Sequence, residues 1–145
     1  MSLFHLAFRI DEIEATRRFY SDLLGCRQGR EAPHWIDFDF FGHQISGHVG
    51  PRPGEVLMTH VDDKPVPLSH FGAILTWPEW DALRDRLAAA GAAFVIAPHV
   101  RFAGEAGEQG TFFVADPSDN VLEFKTFREP AAVFAQSPQA QDHIA

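Results

Sequence analysis

The sequence predicts an α+β fold made of two tandem βαβββ modules. Two observations lead to this prediction: a strand followed by a helix occurs twice along the chain, and strand-like segments follow each helix. The repeat is also regular in its spacing. His5 lies at the start of the first pattern and is 20 positions before Gly25, and His70 lies at the start of the second and is 21 positions before Gly91.

The first module spans residues 1–50. Residues 3–10 are apolar and alternating enough to predict a strand, and DEIEATRRFYSDLLG then has the apolar spacing of a helix. Asp11 is the predicted cap of this helix and Gly25 its stop. Three strands are predicted next, in CRQGR, HWIDFDFF and HQISGHV, with Gly42 at the hairpin turn.

The second module spans residues 69–128 and repeats this order. Its first strand is predicted around residues 68–76, and its helix in WPEWDALRDRLAAAG has Thr76 as a cap, Pro78 in the first turn and Gly91 as the stop. Strands are predicted in AAFVIAP, GTFFVAD and NVLEFKTF, with DPSDN as a turn. Residues 51–68 are predicted to be a linker, and residues 129–145 a tail that begins as a short helix at Pro130 and ends disordered.

The composition of the chain limits the kinds of partner that it is expected to bind. The chain has 145 residues and a formal net charge of −8, and its 12 Lys and Arg residues are scattered, which argues against a nucleic-acid surface. One cysteine, Cys26, excludes an internal disulfide and a multi-cysteine metal site. The sequence contains neither an export signal nor a long apolar run. We therefore expect a cytoplasmic protein with a small-molecule substrate and no membrane association.

Three residues suggest a metal site. Because a duplicated fold should pair its halves, His5 and His70 are expected to meet at symmetry-related positions. Glu123 lies between Leu122 and Phe124, so on a strand it faces away from both. Two imidazoles and one carboxylate form a divalent-metal site that leaves positions open for water, substrate or dioxygen.

The repeat also predicts that this site has three protein ligands. Aligning the two halves by their aromatic pairs and hairpins places Ser46 opposite Glu123, so the first half offers a hydroxyl where the second offers a carboxylate. Gln44 and His48 share a face with Ser46 on an alternating strand. Either of them could supply a neutral fourth contact or hydrogen-bond a metal ligand.

Further candidate residues lie around the predicted site. HVRFAGEAGEQGT is expected to close over a pocket, where Arg101, Glu108 and Gln109 would bind an oxyanion or orient water; a solvated loop is the alternative. His48, Gln44, Arg101 and Gln109 are the catalytic candidates. Phe38, Phe40 and Phe113 would line an aromatic pocket together with Glu108, or the phenylalanines would simply fill the core.

Four stretches of the sequence resemble the vicinal oxygen chelate superfamily. They are FHLAFRIDEIEATRRFYSDLLGC, HWIDFDFFGHQI, HFGAIL and GTFFVADPSDNVLEFK. This superfamily includes glyoxalase I, extradiol dioxygenases, methylmalonyl-CoA epimerase, and fosfomycin and bleomycin resistance proteins. The resemblance covers residues 3 to about 128 and implies a half-barrel formed around a metal. It puts His5, His70 and Glu123 on the ligand positions, implies Fe(II) with Mn, Zn or Ni as alternatives, and implies a homodimer.

Within the superfamily the sequence is most similar to small extradiol-type dioxygenases, which implies a metal-dependent oxidoreductase acting on a bidentate oxygen substrate. It departs from well-studied extradiol enzymes at Phe113, where they carry a tyrosine. Two alternatives stay open. A glyoxalase-like lyase or epimerase needs a spare carboxylate, for which the sequence offers Glu105 and Glu108, and a non-catalytic drug-binding protein needs only an apolar pocket.

Overall fold

The computed structural model describes residues 1–136 and divides into two compact units. The first unit contains residues 1–54 and 115–120, and the second contains residues 55–114 and the described residues from 121 onward. The helices and strands are β1 His5–Ile10, α1 Ile13–Arg17, a π-helix Arg18–Leu23, β2 Arg27–Ala32, β3 Trp35–Phe40, β4 His43–Val49, β5 Met58–Val61, β6 Lys64–Pro67, β7 Phe71–Leu75, α2 Trp77–Ala89, β8 Phe94–Arg101, β9 Gln109–Ala115, β10 Val121–Phe127 and a 3-10 helix Pro130–Phe134.

The predicted α+β class and the repeated sheet topology are confirmed. One four-stranded sheet has the order β1-β4-β3-β2 and the other has the order β7-β10-β9-β8. In each sheet the strand that precedes the helix pairs in parallel with the last strand of its repeat, β1 with β4 and β7 with β10. Neither sheet is closed. None of the helices within residues 1–136 is long and apolar enough to cross a membrane.

The cap of the first helix lies one residue later than predicted. The carboxylate of Glu12 accepts the backbone N–H groups of Glu14 and Ala15, so Glu12 is the cap. Asp11 was the wrong choice because its carboxylate pairs with Arg9 at 2.7 Å and with Arg52 at 2.5 Å. These two ion pairs occupy the side chain that the helix terminus would need.

The core of the first unit forms around Tyr20 in the π-helix. Its ring stacks on Phe38 at a centroid distance of 5.2 Å, and its hydroxyl donates a 2.9 Å hydrogen bond to Asp116. Asp116 opens the predicted DPSDN turn, whose Ser118 carbonyl accepts a hydrogen bond from Arg9. Side chains and backbone of this turn therefore belong to the first unit although the turn joins β9 to β10.

The second helix follows its prediction closely. Thr76 and Glu79 form a capping box, Pro78 lies in the first turn, and Gly91 follows the helix with a φ of +74°. Trp80 anchors the helix to the sheet because its indole N–H donates to the Phe124 carbonyl at 2.9 Å. The even-numbered side chains of β10 are buried here, so Glu123 faces away from the helix.

The segment predicted as a linker contains a feature that the sequence analysis missed. Strands β5 and β6 form a hairpin whose turn has positive φ at Asp62 and Asp63. Val61 and Val66 of this hairpin pack in a buried cluster with residues of β8, β9 and β10. The short helix predicted at Pro130 is confirmed as the 3-10 helix, and the predicted disordered end lies outside the described residues.

Candidate metal centre

His70 and Glu123 form a pair in the second unit. His70 directly precedes β7, and Glu123 lies on β10 opposite Gly72 in the parallel register. The His70 Nε2 atom is 3.6 Å from Oε1 of Glu123, and the two side chains are only 21% and 11% exposed. The two side chains therefore form an imidazole–carboxylate pair whose polar atoms face each other.

Hydrogen bonds orient both members of this pair. Nδ1 of His70 is 2.8 Å from the Pro67 carbonyl, which can only accept, so Nδ1 carries the proton and Nε2 presents its lone pair. The interaction with Glu123 raises the pKa of His70, against the opposing effect of burial. The second oxygen of Glu123 accepts a 2.8 Å hydrogen bond from the Thr111 hydroxyl. Such partners of ligand side chains fix their orientation in metal sites.

His5 is held in a comparable way in the first unit. It is exposed at the start of β1, directly across the register from Gln44 on β4. Its Nδ1 atom is 2.8 Å from the Gln44 side-chain oxygen, so Nδ1 donates and Nε2 is left as the potential ligand atom. Gln44 thus takes the second of the two roles that the sequence left open for it, a hydrogen bond to the His5 ring.

The predicted correspondence between Ser46 and Glu123 is confirmed by strand register. Ala7, two residues after His5, pairs with Ser46, and Gly72, two residues after His70, pairs with Glu123. Ser46 lies on the strand next to β1, which begins at His5, and Glu123 lies on the strand next to β7, which directly follows His70. The duplicated fold therefore places a hydroxyl and a carboxylate at equivalent sites.

Asp37 is a buried carboxylate that the sequence analysis missed. It is only 5% exposed and accepts a 2.5 Å hydrogen bond from the Ser46 hydroxyl across the β3–β4 register. The signal was present in HWIDFDFF, where an acid alternates with the buried Ile36 and Phe38 and so shares the face of Ser46. A carboxylate on that face requires partners, and the hydroxyl opposite supplies one.

A cavity of about 270 Å³ lies on the first unit beside Asp37. Its polar lining consists of Arg27, Arg30, Asp37, Asp39, His43 and Gln44. The guanidinium groups of Arg27 and Arg30 are 85% and 79% exposed. Their ion pairs are long, 3.6 Å from Arg27 to Asp39 and 3.5 Å from Arg30 to Asp37, and Arg30 also lies over the Trp35 ring at 5.5 Å. The cavity therefore combines a buried acid with exposed cations at its rim.

The other catalytic candidates are spread over both units. His48 is exposed on β4 in the first unit. In the second unit, Arg101 is 3.3 Å from Asp62 and lies opposite Gln109 in the β8–β9 register. Gln109 is 3% exposed, and its side-chain oxygen has no hydrogen-bond partner among the described residues. Glu108 pairs with Arg128 at 2.8 Å, which lowers the pKa of the Glu108 carboxyl.

The three phenylalanines proposed as pocket residues lie in the core. Phe38 borders the cavity, but its ring stacks on Tyr20, and Phe40 packs against the same ring at 6.5 Å. Phe113 is fully buried in the cluster that the β5–β6 hairpin covers. Its ring meets His70 edge-on at 5.4 Å, so it forms an apolar support behind that imidazole.

The donor types fit a divalent metal, although the structure provides only parts of a site. Two imidazoles that are anchored through Nδ1 and one carboxylate are the donor types of a 2-His-1-carboxylate centre. Within residues 1–136, no three His, Cys, Asp or Glu side chains form a group that could hold a metal ion. The second unit supplies the His70–Glu123 pair, and the first unit supplies His5 with its anchored ring.

Comparison with known proteins identifies relatives over most of the chain. A family model described as the Glyoxalase/Bleomycin resistance protein/Dioxygenase superfamily matches residues 2–124. Among curated proteins, none matches the chain. A crystal structure named glyoxalase/bleomycin resistance protein/dioxygenase, from Alicyclobacillus acidocaldarius, is 32% identical with a TM-score of 0.76, and the match covers 92% of this chain and 96% of that one.

Two more distant structures share the fold. The fosfomycin resistance protein FosX from Listeria monocytogenes is 16% identical with a TM-score of 0.67, and the match covers 91% of this chain and 98% of that one. FosX from Mesorhizobium loti is also 16% identical, with a TM-score of 0.63 and coverage of 92% and 98%. At this level of identity the similarity concerns the fold and not the reaction.

Proposed function

Because the chain belongs to the Glyoxalase/Bleomycin resistance protein/Dioxygenase superfamily, we propose that it is an enzyme whose divalent metal is held by His5, His70 and Glu123. One observation carries this proposal. In both histidines Nδ1 is committed to an oxygen acceptor at 2.8 Å, which leaves Nε2 to bind a metal. Ligand histidines in metal sites are characteristically anchored through their other nitrogen in this way.

We propose a small substrate with two neighbouring oxygen atoms, and ring-opening oxygenation with Fe(II) as the first reaction to test; Mn, Zn and Ni are the other candidate ions. When bound, the metal would act as a Lewis acid and as a template for the substrate oxygens. Thr111 holds one oxygen of Glu123 and so directs the other toward His70. Phe113 provides an apolar edge beside His70 and, having no hydroxyl, cannot hydrogen-bond the substrate.

Metal analysis of the purified protein tests the ligand set. The protein is stripped with chelator, reloaded separately with Fe(II), Mn, Zn and Ni, and analysed for bound metal per chain. We expect one equivalent for at least one ion, and loss of that equivalent in His5→Ala, His70→Ala and Glu123→Gln. His60→Ala is the matched control because His60 is an exposed strand histidine. A folded wild-type protein that takes up none of the four ions would refute the metal-dependent function.

We also propose a homodimer in the cytoplasm. Size measurement by light scattering tests the dimer. Mixing His5→Ala with His70→Ala protein then shows whether the ligands come from one protomer. If the metal equivalent is partly restored by mixing, His5 of one protomer completes the site of its partner, and if it is not, each chain holds its own metal.

A glyoxalase-like lyase or epimerase is the second candidate, and Asp37 favours it. This reaction class moves a proton between a carbon and a base, and so requires a carboxylate that does not bind the metal. Asp37 is such a carboxylate, buried beside a cavity. Oxygen consumption with a panel of catechols, compared with turnover of a methylglyoxal thiol adduct, separates the two candidates. Activity only with the adduct, lost in Asp37→Asn, would replace the first candidate by the second.

A further inference from the structure

We infer that Asp37 is a positioning residue that sets the ring tautomer of His5 through the amide of Gln44. The inference rests on the proposed function, in which Nε2 of His5 binds the metal. It concerns a chain of three side chains in the first unit. Asp37 accepts from the Gln44 Nε2 amide at 3.3 Å, and the Gln44 Oε1 atom is 2.8 Å from Nδ1 of His5.

The direction of each hydrogen bond in this chain follows from Asp37. An ionised carboxylate can only accept hydrogen bonds, so the Gln44 amide must turn its NH₂ group toward it. The carbonyl oxygen of Gln44 then faces His5, and because that oxygen can only accept, Nδ1 of His5 must donate. A neutral imidazole has one N–H, so Nε2 is left with its lone pair. Without the acid, the reversed amide would bond equally well and protonate the wrong nitrogen.

The surroundings of Asp37 hold it in this role. Its Oδ1 atom accepts from Ser46 at 2.5 Å, while Oδ2 accepts from Gln44 and from Arg30 at 3.5 Å. Ser46 and Gln44 lie on β4 and Arg30 lies on β2, so strands on both sides of β3 contact a carboxylate that is 5% exposed. Asp37 lies directly opposite Ser46 in the β3–β4 register, and this position limits which groups its carboxylate can reach.

The two histidines differ in how they are anchored. A backbone carbonyl, that of Pro67, holds His70, whereas the orientation of His5 depends on two side chains in sequence. A side-chain relay can be changed by substitution at a distance from the ring, and a backbone anchor cannot. His5 is therefore the ligand whose metal affinity Asp37 can tune without touching the metal.

The tautomer of His5 in metal-free protein gives a direct test. Nitrogen-15 NMR of the neutral imidazole should show a single tautomer with the proton on Nδ1 in the wild type. Asp37→Ala and Gln44→Leu should both give a mixture of tautomers at His5. We expect each to weaken metal binding about 10- to 100-fold, the usual effect of losing a partner of a metal ligand.

Asp39→Ala is the matched control. Asp39 is the next acid along β3, lies in the same cavity and faces Gln44 in the register, yet it bonds to Gly42 and Arg27 instead. It should leave the His5 tautomer unchanged. A folded Asp37→Ala protein with the wild-type tautomer would overturn the inference. If that variant does not fold, Asp37→Leu, which has a similar shape and also lacks an acceptor for the Gln44 amide, gives the same test.

Failure of the proposed function has a different signature. If His5→Ala retains the bound metal, His5 is not a ligand, and a tautomer that still responds to Asp37 in the wild-type background supports the relay alone. If His5→Ala loses the metal while Asp37→Ala keeps both wild-type affinity and the wild-type tautomer, the relay is wrong and the ligand set stands.

Discussion

Gly72 is the residue on which the position of Glu123 depends most sharply. It pairs with Glu123 across the parallel β7–β10 register. A Cβ atom added at Gly72 would lie 1.6 Å from the Glu123 carbonyl oxygen and 2.6 Å from its carbonyl carbon. Both are backbone atoms, so no change of rotamer can relieve the clash. Replacing this glycine by alanine must push the two strands apart.

The size of the effect follows from this geometry. Ordinary contact begins at 3.4 Å, so the added methyl group lacks 1.8 Å of space. A shift of that size breaks the ladder hydrogen bonds on either side of the pair. Losing two of them costs about 2 kcal/mol, at about 1 kcal/mol each, and overpacking adds about 1 to 3 kcal/mol. We expect Gly72→Ala to lower the free energy of unfolding by about 3 to 5 kcal/mol.

Urea denaturation followed by tryptophan fluorescence measures this loss, because Trp80 is buried against the same sheet. Gly54→Ala is the control, since no atom lies within 4 Å of its added Cβ and its φ is not in the left-handed region. Gly72→Ala should also bind metal more weakly than the wild type, because the backbone that carries Glu123 is displaced. A Gly72→Ala protein whose unfolding free energy is within about 1 kcal/mol of wild type would refute the argument.

Three further predictions concern single groups. Burial, and then the charge of Asp116, raise the pKa of Tyr20, the only tyrosine in the chain. Tyrosinate absorbance should therefore appear only as the protein unfolds, with stability falling above about pH 10, where the unfolded side chain ionises; normal titration in the folded state would contradict this. In metal-free protein Glu123 raises the pKa of His70, so their interaction stabilises the fold below about pH 6.5 and fades as pH rises through the raised value. Glu123→Gln should lower that pKa in a histidine NMR titration, and an unchanged value would rule out the pairing. Thr111→Val removes the hydroxyl donor to Glu123 and should weaken metal binding about 10-fold or more, with equal affinity as the contrary result.

The sequence predicted most strands of the fold because short apolar or alternating segments are bounded by turn residues. HQISGHV coincides with β4, and HWIDFDFF covers β3 with one turn residue added at each end. The second helix was also predictable, because Thr76, Pro78 and Gly91 are local signals that act within one or two turns.

Features that depend on distant residues were not predictable in this way. Asp11 has the composition of a helix cap, but Arg52, 41 positions further along, uses its carboxylate. The β5–β6 hairpin was hidden by the prolines at positions 65 and 67, which normally argue against a strand. This hairpin has only two strands, so each strand has an outer edge with no neighbouring strand. A proline, which has no N–H to donate, is tolerated where its backbone nitrogen faces that outer edge.

The candidate site was predictable where the duplication showed it. His5, His70, Ser46 and Glu123 were identified because each half of the chain serves as a reference for the other. Asp37 was missed because the sequence was searched for a carboxylate equivalent to Glu123, and Asp37 is not equivalent to it. In the first unit the acid lies on β3 and the hydroxyl on β4.

Each repeat contains a hydrogen-bonded pair of an acid and a hydroxyl, Glu123 with Thr111 and Asp37 with Ser46. The acid and the hydroxyl exchange strands between the repeats, and the strand order explains why the acid then has a different role. In the second unit Glu123 lies on β10, next to the strand that His70 precedes, and its hydroxyl partner Thr111 lies one strand further away on β9. In the first unit Ser46 is on the adjacent strand, and Asp37 is one strand further away. Neighbouring strands are about 4.8 Å apart, whereas ligand atoms bind a divalent metal at about 2.0 to 2.2 Å. Moving the acid by one strand therefore takes it beyond the reach of an ion on the histidine of its own unit. In the proposed site, the same two chemical groups would then provide a metal ligand in one repeat and, through Gln44, a support for the histidine in the other.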